Sequence, residues 1–122
     1  MKIKKFLEKI NKSYNFHYSL LINKDGENIA EFGYDAPSIS RGLYNYYIGS
    51  SDSIKNTFAF LKGQLTPQFI GQGNKNLILF QPTPDLILGC INDDDRTLEE
   101  LIVATDILDL EIKKYINEQY LK

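Results

Sequence analysis

The stretch that decides the fold is "LLINKDGENIA", residues 20–30, in which an Asp-Gly pair separates two apolar runs. Asp25 and Gly26 suit the two positive-φ positions of a type I′ turn, so the pattern predicts a two-residue β-hairpin. Such a turn pairs Leu21 with Ala30, and apolar side chains then fall on both faces of the hairpin. A hairpin with one wet face would alternate cleanly, so we expect a sheet that is covered on both sides.

An amphipathic helix precedes this hairpin, and three more strands come later in the chain. The helix is predicted over residues 2–14 because its apolar side chains share one stripe at helical spacing: Ile3, Phe6, Leu7, Ile10 and Tyr14. The later strands are predicted in "QFIGQG", "NLILFQ" and "TPDLILGCI", with a second hairpin turn at Gly73-Asn74. Pro67, near the start of the first of these strands, suits an edge strand.

A last helix is predicted from residue 98 to Tyr120, after a T-x-x-E capping box at Thr97. Its main apolar stripe is widened by Val103, Ile107 and Leu110, so we expect this helix to be heavily covered. The whole order is therefore α-β-β-α-β-β-β-α, an α+β class with a five-stranded antiparallel sheet between helices, in one domain spanning residues 1–122.

The middle helix, within residues 39–62, has two interpretations. One helical phase runs through the whole segment, which favours a single long helix. The run Gly49-Ser50-Ser51-Asp52 could instead divide it into two short helices, with Ser38 or Ser40 after Pro37 as the first cap.

Composition excludes several classes of protein. The chain has 122 residues, 43% of them hydrophobic and 25% charged, with a formal net charge of -2. That profile is typical of an ordinary globular protein and argues against a broad nucleic-acid surface. No apolar run approaches the roughly 20 residues that would cross a bilayer. The lone Cys90 within "LILGCI" indicates a buried core residue in a reducing compartment, so we expect a cytoplasmic protein without membrane insertion.

Motifs for catalysis or ligand binding are weak. His17 is the only histidine and has no partner at motif spacing, and Cys90 has none either. Asp93-Asp94-Asp95 does not follow the alternating ligand pattern of a calcium loop. "GQGNK", residues 71–75, lies between strands, whereas a phosphate loop opens onto a helix. We expect no enzyme activity, no metal and no cofactor.

Residues 39–62 carry more interaction signal than any other segment. Small or polar side chains share one side of the predicted helix, which favours the close approach of another backbone: Gly42, Asn45, Gly49, Ser53 and Asn56. The same segment has more aromatic residues than one core stripe can absorb, including Tyr44, Tyr46, Tyr47, Phe58 and Phe60. Tyrosine is enriched at protein interfaces, so this segment is predicted to bind a protein partner.

The whole chain resembles the roadblock/dynein light chain family. The resemblance lies in the order of elements, in the "LLINKDGENIA" hairpin, and in "LTPQFIGQGNKNLILFQPTPDLILGCIND" before the last helix. It implies that the first and last helices cover one face of the sheet and the middle helix the other. It also implies a homodimer made by paired middle helices and joined third strands, with Gln68 and Ile70 completing the dimer interface.

Bacterial and archaeal members of that family often accompany a Ras-like small GTPase. The resemblance therefore implies an adaptor that regulates such a GTPase without donating an arginine finger. Activation of the GTPase is one form that this regulation takes in the family. We expect the GTPase contacts at Arg41, Tyr44, Tyr47, Ile48 and Lys55. Two alternatives remain open: a PAS- or profilin-like small-molecule sensor with Tyr46, Phe58 and Phe69 lining a cavity, and a structural scaffold subunit.

Overall fold

The computed structural model describes residues 2–33, 42–72, 75–92 and 98–120. Its elements are helix α1 (Ile3–Tyr14), strands β1 (Tyr18–Asn23) and β2 (Asn28–Gly33), a π-helical turn (Tyr44–Ile48), helix α2 (Ser51–Leu61), strands β3 (Gln68–Gln72), β4 (Lys75–Thr83) and β5 (Leu86–Asn92), and helix α3 (Leu98–Tyr115), which continues as a π-helical segment (Ile116–Tyr120).

The five strands form one antiparallel sheet in the order β2-β1-β5-β4-β3. Both β2 and β3 are therefore edge strands, which agrees with the position of Pro67 just before β3. Helices α1 and α3 cover one side of this sheet, called here the two-helix face. The π-helical turn and α2 cover the other side, called the one-helix face. The predicted fold class is confirmed, including the side that each helix occupies.

The two-helix face is held by direct contacts between α1 and α3. The rings of Phe6 and Tyr115 stack with centroids 4.1 Å apart and an interplanar angle of 4°. The Tyr14 hydroxyl donates a hydrogen bond of 3.0 Å to the Glu111 carboxylate. Beneath these helices, alternate strand residues form the core: Leu21, Ile78, Phe80, Leu86, Leu88 and Cys90. Burial raises the pKa of the Cys90 thiol, so this side chain stays a protonated, apolar core group.

The one-helix face uses the intervening strand residues. Its sheet layer is made of Tyr18, Leu20, Ile22, Leu77, Leu79, Ile87 and Ile91. Leu43, Ile48, Ile54 and Leu61 pack onto that layer from above. Both faces are buried in β5, in most of β1 and at Leu77–Phe80 of β4, and these stretches are mainly apolar, as expected for a sheet that is covered on both sides.

The hairpin loop differs from the predicted type I′ turn. The backbone N–H of Gly26 donates to the Asn23 carbonyl (3.0 Å), and the N–H of Asn23 donates to the Glu27 carbonyl (3.1 Å), which leaves a three-residue loop at 24–26. Only Gly26, at φ 86°, has a positive φ within the loop, whereas a type I′ turn needs two such residues. The Asn23 side chain decides the geometry, because its oxygen accepts from the N–H groups of both Asp25 and Glu27.

A register shift accompanies this loop. Leu21 pairs with Ala30 as predicted, but Ile22 pairs with Asn28, so Ile29 is an extra residue on β2. A bulge of this kind can turn two successive side chains to the same side. Here Ile29 and Ala30 both pack against the core of the two-helix face.

The middle segment is not one continuous helix, so the favoured interpretation was wrong and the two-piece alternative was right. Ser50 is extended (φ −148°, ψ 163°) and interrupts the helical backbone. Its Oγ accepts from the Ser53 N–H (3.1 Å), while the Ser53 Oγ accepts from the Ser50 N–H (2.9 Å). This reciprocal capping box starts α2. The Thr57 hydroxyl then donates to the Tyr47 carbonyl (2.6 Å) and fixes α2 against the π-helical turn.

The Ser50 cap gives a direct test of this break. We expect Ser50→Ala to lower the free energy of unfolding by about 0.5–2 kcal/mol, because the Ser53 N–H at the start of α2 loses its acceptor, the Ser50 Oγ. Ser13→Ala, the same change at an exposed position inside α1, should leave it almost unchanged. Urea denaturation followed by circular dichroism measures both variants. Equal losses in the two variants would contradict the capping role.

The prediction that α3 is covered on a wide stripe was also wrong. Leu101, Thr105, Leu108 and Ile112 are buried, as the main stripe requires. Val103, Ile107 and Leu110 instead lie on the outer surface, among the most exposed large hydrophobic residues of the described chain. The caps predicted at Ser38, Ser40 and Thr97, the Gly73-Asn74 turn and the Asp93–Asp95 loop lie outside the described residues.

Candidate functional site

The residues predicted for the dimer interface lie on the one-helix face and on β3, but they do not form a uniform surface. Gly42, Asn45, Gly49 and Asn56 are exposed. Ser53 is buried and is used by the capping box of α2. It is therefore an internal residue, which corrects its placement at an interface.

The two glycines of this set are explained by the chain's own packing. A β-carbon at Gly49 would lie 2.8 Å from the Asn45 Cα, so the main chain itself leaves no room for a side chain. A β-carbon at Gly42 would lie 2.5 Å from the side-chain oxygen of Gln72, which reaches over from β3. The main chain thus excludes a side chain at Gly49, whereas the flexible Gln72 side chain can move away from one at Gly42. Neither glycine is evidence that the backbone of a neighbouring chain lies close.

Strand β3 offers a different kind of surface. Among the described residues it pairs only with β4, so no described strand hydrogen-bonds to its outer edge. Ile70 is half-buried and packs against the core of the one-helix face. The Gln68 amide donates a hydrogen bond of 2.7 Å to the Leu65 carbonyl, which fixes the loop residue Leu65 beside the start of the strand.

The residues predicted to contact a GTPase differ in their exposure to solvent. Lys55 is exposed, and Tyr47 is half-buried. Tyr44 is half-buried too, with its ring edge-on to Tyr18 at a centroid distance of 6.1 Å. Ile48 is only 2% exposed because its side chain packs into the core of the one-helix face, so it is corrected to a core residue. Arg41 lies outside the described residues.

Three exposed apolar side chains on and beside the one-helix face were not among the residues predicted for the dimer interface or the GTPase contact. Tyr46 is 74% exposed, Phe60 48% and Leu65 89%. Tyr46 also meets Tyr47 edge-on, with ring centroids 4.7 Å apart. The excess of aromatic residues in 39–62 was a usable signal for Tyr46 and Phe60. No signal in the sequence indicated that Leu65 is exposed, because a single leucine in a loop belongs to no periodic pattern.

The cavity predicted for a small-molecule sensor is not formed by the three aromatic residues named for it. Phe58 packs on the one-helix face and Phe69 on the two-helix face, while Tyr46 points to solvent. An open groove of about 670 Å³ does lie between the end of α2 and the β4–β5 turn. Of the three, only Phe58 lines it, together with polar and basic residues that include Lys24, Lys62 and Gln81.

Potential metal-binding side chains are dispersed in the part of the chain that is described. No group of three or more His, Cys, Asp or Glu side chains there could hold a metal ion. No described helix has both the length and the apolar character to cross a membrane.

Comparison with solved structures gives the fold. MglB from Myxococcus xanthus matches with a TM-score of 0.64 at 18% identity, over 94% of this chain and 87% of that one. An MglB with a tetrameric arrangement matches with a TM-score of 0.60 at 13% identity, over 93% and 87%. The roadblock/LC7 domain from Streptomyces avermitillis matches with a TM-score of 0.55 at 14% identity, over 91% and 98%.

The chain has the roadblock/LC7 fold. No family model matches the sequence, and no curated protein matches it either. At these identities the likeness shows the architecture and leaves activity to be argued from the surface. In this chain the surface in question combines the edge strand β3 with Tyr46, Phe60 and Leu65.

Proposed function

We propose that this chain is a non-enzymatic adaptor that pairs with a second copy of itself and regulates a Ras-like small GTPase. Self-association would use the edge of β3 together with Phe60 of α2 and Leu65. The GTPase would bind the exposed part of the one-helix face around Tyr46, Tyr47 and Lys55. Regulation would come from repositioning the GTPase's own groups.

One observation carries the proposal: the exposed side chain of Leu65 lies beside a sheet edge with which no described strand pairs, and the exposed Phe60 lies five residues before it in the chain. An unprotected edge strand is a liability for a monomer, because any other strand can pair with it. The Gln68 hydrogen bond holds Leu65 at the start of β3. Phe60 is exposed in the last turn of α2, which precedes Leu65 in the chain. Apolar groups of this size beside a free edge fit strand pairing with a second copy.

The fold comparisons support the same role. The chain is similar to MglB structures, one of them described with a tetrameric arrangement. The sequence resembles small-GTPase-associated roadblock proteins, and this resemblance supports a GTPase site on the middle helices. Tyr46 and Tyr47 supply rigid, amphipathic side chains there, of the type that dominates many protein interfaces.

A titration tests the GTPase part. We expect a Ras-like small GTPase of the same organism to bind the chain in calorimetry, when it is loaded with GDP or with a non-hydrolysable GTP analogue. Lys55→Glu should weaken this binding by about tenfold, because it reverses a charge on the contact surface. Lys9→Glu makes the same change on the exposed side of α1, on the two-helix face, and should leave the affinity unchanged.

The controls separate binding from assembly. Both variants should keep the molar mass of the wild type, so that a loss of affinity reports the contact alone. If no Ras-like GTPase binds in either nucleotide state while self-association persists, the chain is a scaffold subunit and the regulatory proposal fails. Equal weakening by the two variants would place the GTPase elsewhere.

A further inference from the structure

The outer face of α3 carries an apolar stripe that nothing in the described chain covers. Val103 is 66% exposed, Ile107 59% and Leu110 67%. Their spacing of four and three residues puts them on one line along the helix, the arrangement of a coiled-coil seam. The partly exposed Ile102 broadens this line at its N-terminal end. A line of large apolar side chains on the surface marks a docking site.

The apolar stripe on α3 has an acidic residue at one end and a basic residue at the other. Glu100 precedes Val103 by three residues and Lys114 follows Leu110 by four, and both lie on the exposed side of α3. The five residues of what we call the α3 stripe therefore carry an acid at the N-terminal end, an apolar centre and a base at the C-terminal end. This pattern is self-complementary only when the direction of the partner helix is reversed.

We propose that the α3 stripe pairs with the α3 stripe of a second copy, antiparallel, about a twofold axis at Ile107. Val103 then faces the second copy's Leu110, and Glu100 faces the second copy's Lys114. Ile107 meets its own equivalent on the axis. A parallel pair would instead set Glu100 against Glu100 and Lys114 against Lys114, so charge selects the antiparallel arrangement.

The shape of the surface at the N-terminal end of the stripe is compatible with this antiparallel register. A shallow depression of about 490 Å³ lies at the N-terminal end of the stripe, lined by Glu99, Glu100, Val103 and Ala104. In the antiparallel pair it lies opposite the second copy's Leu110 and Lys114. A lysine there can lay its apolar stem along Val103 and direct its ammonium to the two glutamates.

This contact is independent of the proposed function. The α3 stripe belongs to the two-helix face, on the opposite side of the sheet from Phe60 and Leu65. A chain could therefore engage both surfaces at once and join dimers into larger assemblies. The stripe is smaller than the roughly 800 Å² per partner of a standard interface, so we expect a Kd on the order of tens of micromolar or weaker.

Cysteine cross-linking tests the position of the axis. Ile107→Cys should form a disulfide-linked dimer under mild oxidation, because each residue faces its equivalent. Val103→Cys alone should cross-link at least fivefold less, and a mixture of Val103→Cys and Leu110→Cys chains should restore it. Cys90 is buried and does not compete. Equal cross-linking of Ile107→Cys and Val103→Cys would overturn the register.

A charge exchange tests the partner. In sedimentation velocity at high micromolar concentration, Glu100→Lys and Lys114→Glu should each weaken the association severalfold, and the double variant should restore it. Asp106→Asn should strengthen it, because Asp106 lies next to the axis and would meet its own equivalent there. Without restoration in the double variant, the stripe does not pair with itself. That result would not bear on the proposed dimerisation through β3, because dimerisation through β3 is measured at low micromolar concentration.

Discussion

Phe80→Ala should lower the free energy of unfolding by about 3–5 kcal/mol. Phe80 lies in β4, a central strand, and its ring has no solvent exposure. Truncation removes the apolar ring from the core of the two-helix face and leaves a cavity that the flanking strands cannot close. Since domains of this size are stable by only about 5–15 kcal/mol, the variant should be marginally folded at 37 °C. Urea denaturation at a fixed protein concentration measures the loss.

Two comparison variants make this test specific. Phe80→Leu keeps most of the volume and should cost clearly less than the alanine variant. Phe60→Ala makes the same chemical change at an exposed site on α2. Its effect on stability should come only from weaker dimerisation and should therefore vanish on dilution. A small loss in Phe80→Ala that matches Phe60→Ala would show that the core is not where the structure places it.

Phe60→Asp should raise the dissociation constant of the homodimer by at least about 30-fold, equivalent to about 2 kcal/mol. The change puts a carboxylate on the exposed side of α2, where the proposed interface would bury it without a partner. Light scattering at low micromolar concentration should then report one chain per particle. Val103→Asp, the matched apolar-to-acid change on the α3 stripe, should remain dimeric at that concentration. A dimeric Phe60→Asp variant would move the interface away from α2.

The regular elements could be predicted because their signals are local. The apolar stripes of α1 and of α3 through Leu108 follow from helical periodicity, and β4 and β5 follow from short apolar runs between turn residues. The hairpin loop was missed because the Asn23 side chain binds two backbone N–H groups, and this favours a three-residue loop over the turn that Asp-Gly alone suggests.

The remaining errors have a common cause, which is tertiary context. Helical phase continues across residues 49–53, but the Ser50–Ser53 capping box interrupts the backbone without disturbing the apolar spacing. Val103 and Ile107 are residue types that usually lie in a core. Only the way α3 packs on the sheet shows that they face outward. Ile48 looked like an interface residue because its burial depends on its contact with Gly89 of β5, where a β-carbon would lie 3.2 Å from its Cδ1.

The molar mass of the wild-type chain in solution tests the central claim most directly, namely that the β3 edge with Phe60 and Leu65 is a self-association surface. Light scattering at low micromolar concentration, where pairing of the α3 stripe is too weak to contribute, should give twice the 14.0 kDa of one chain. Phe60→Asp should halve that value. A wild-type particle of 14.0 kDa under the same conditions would contradict the account.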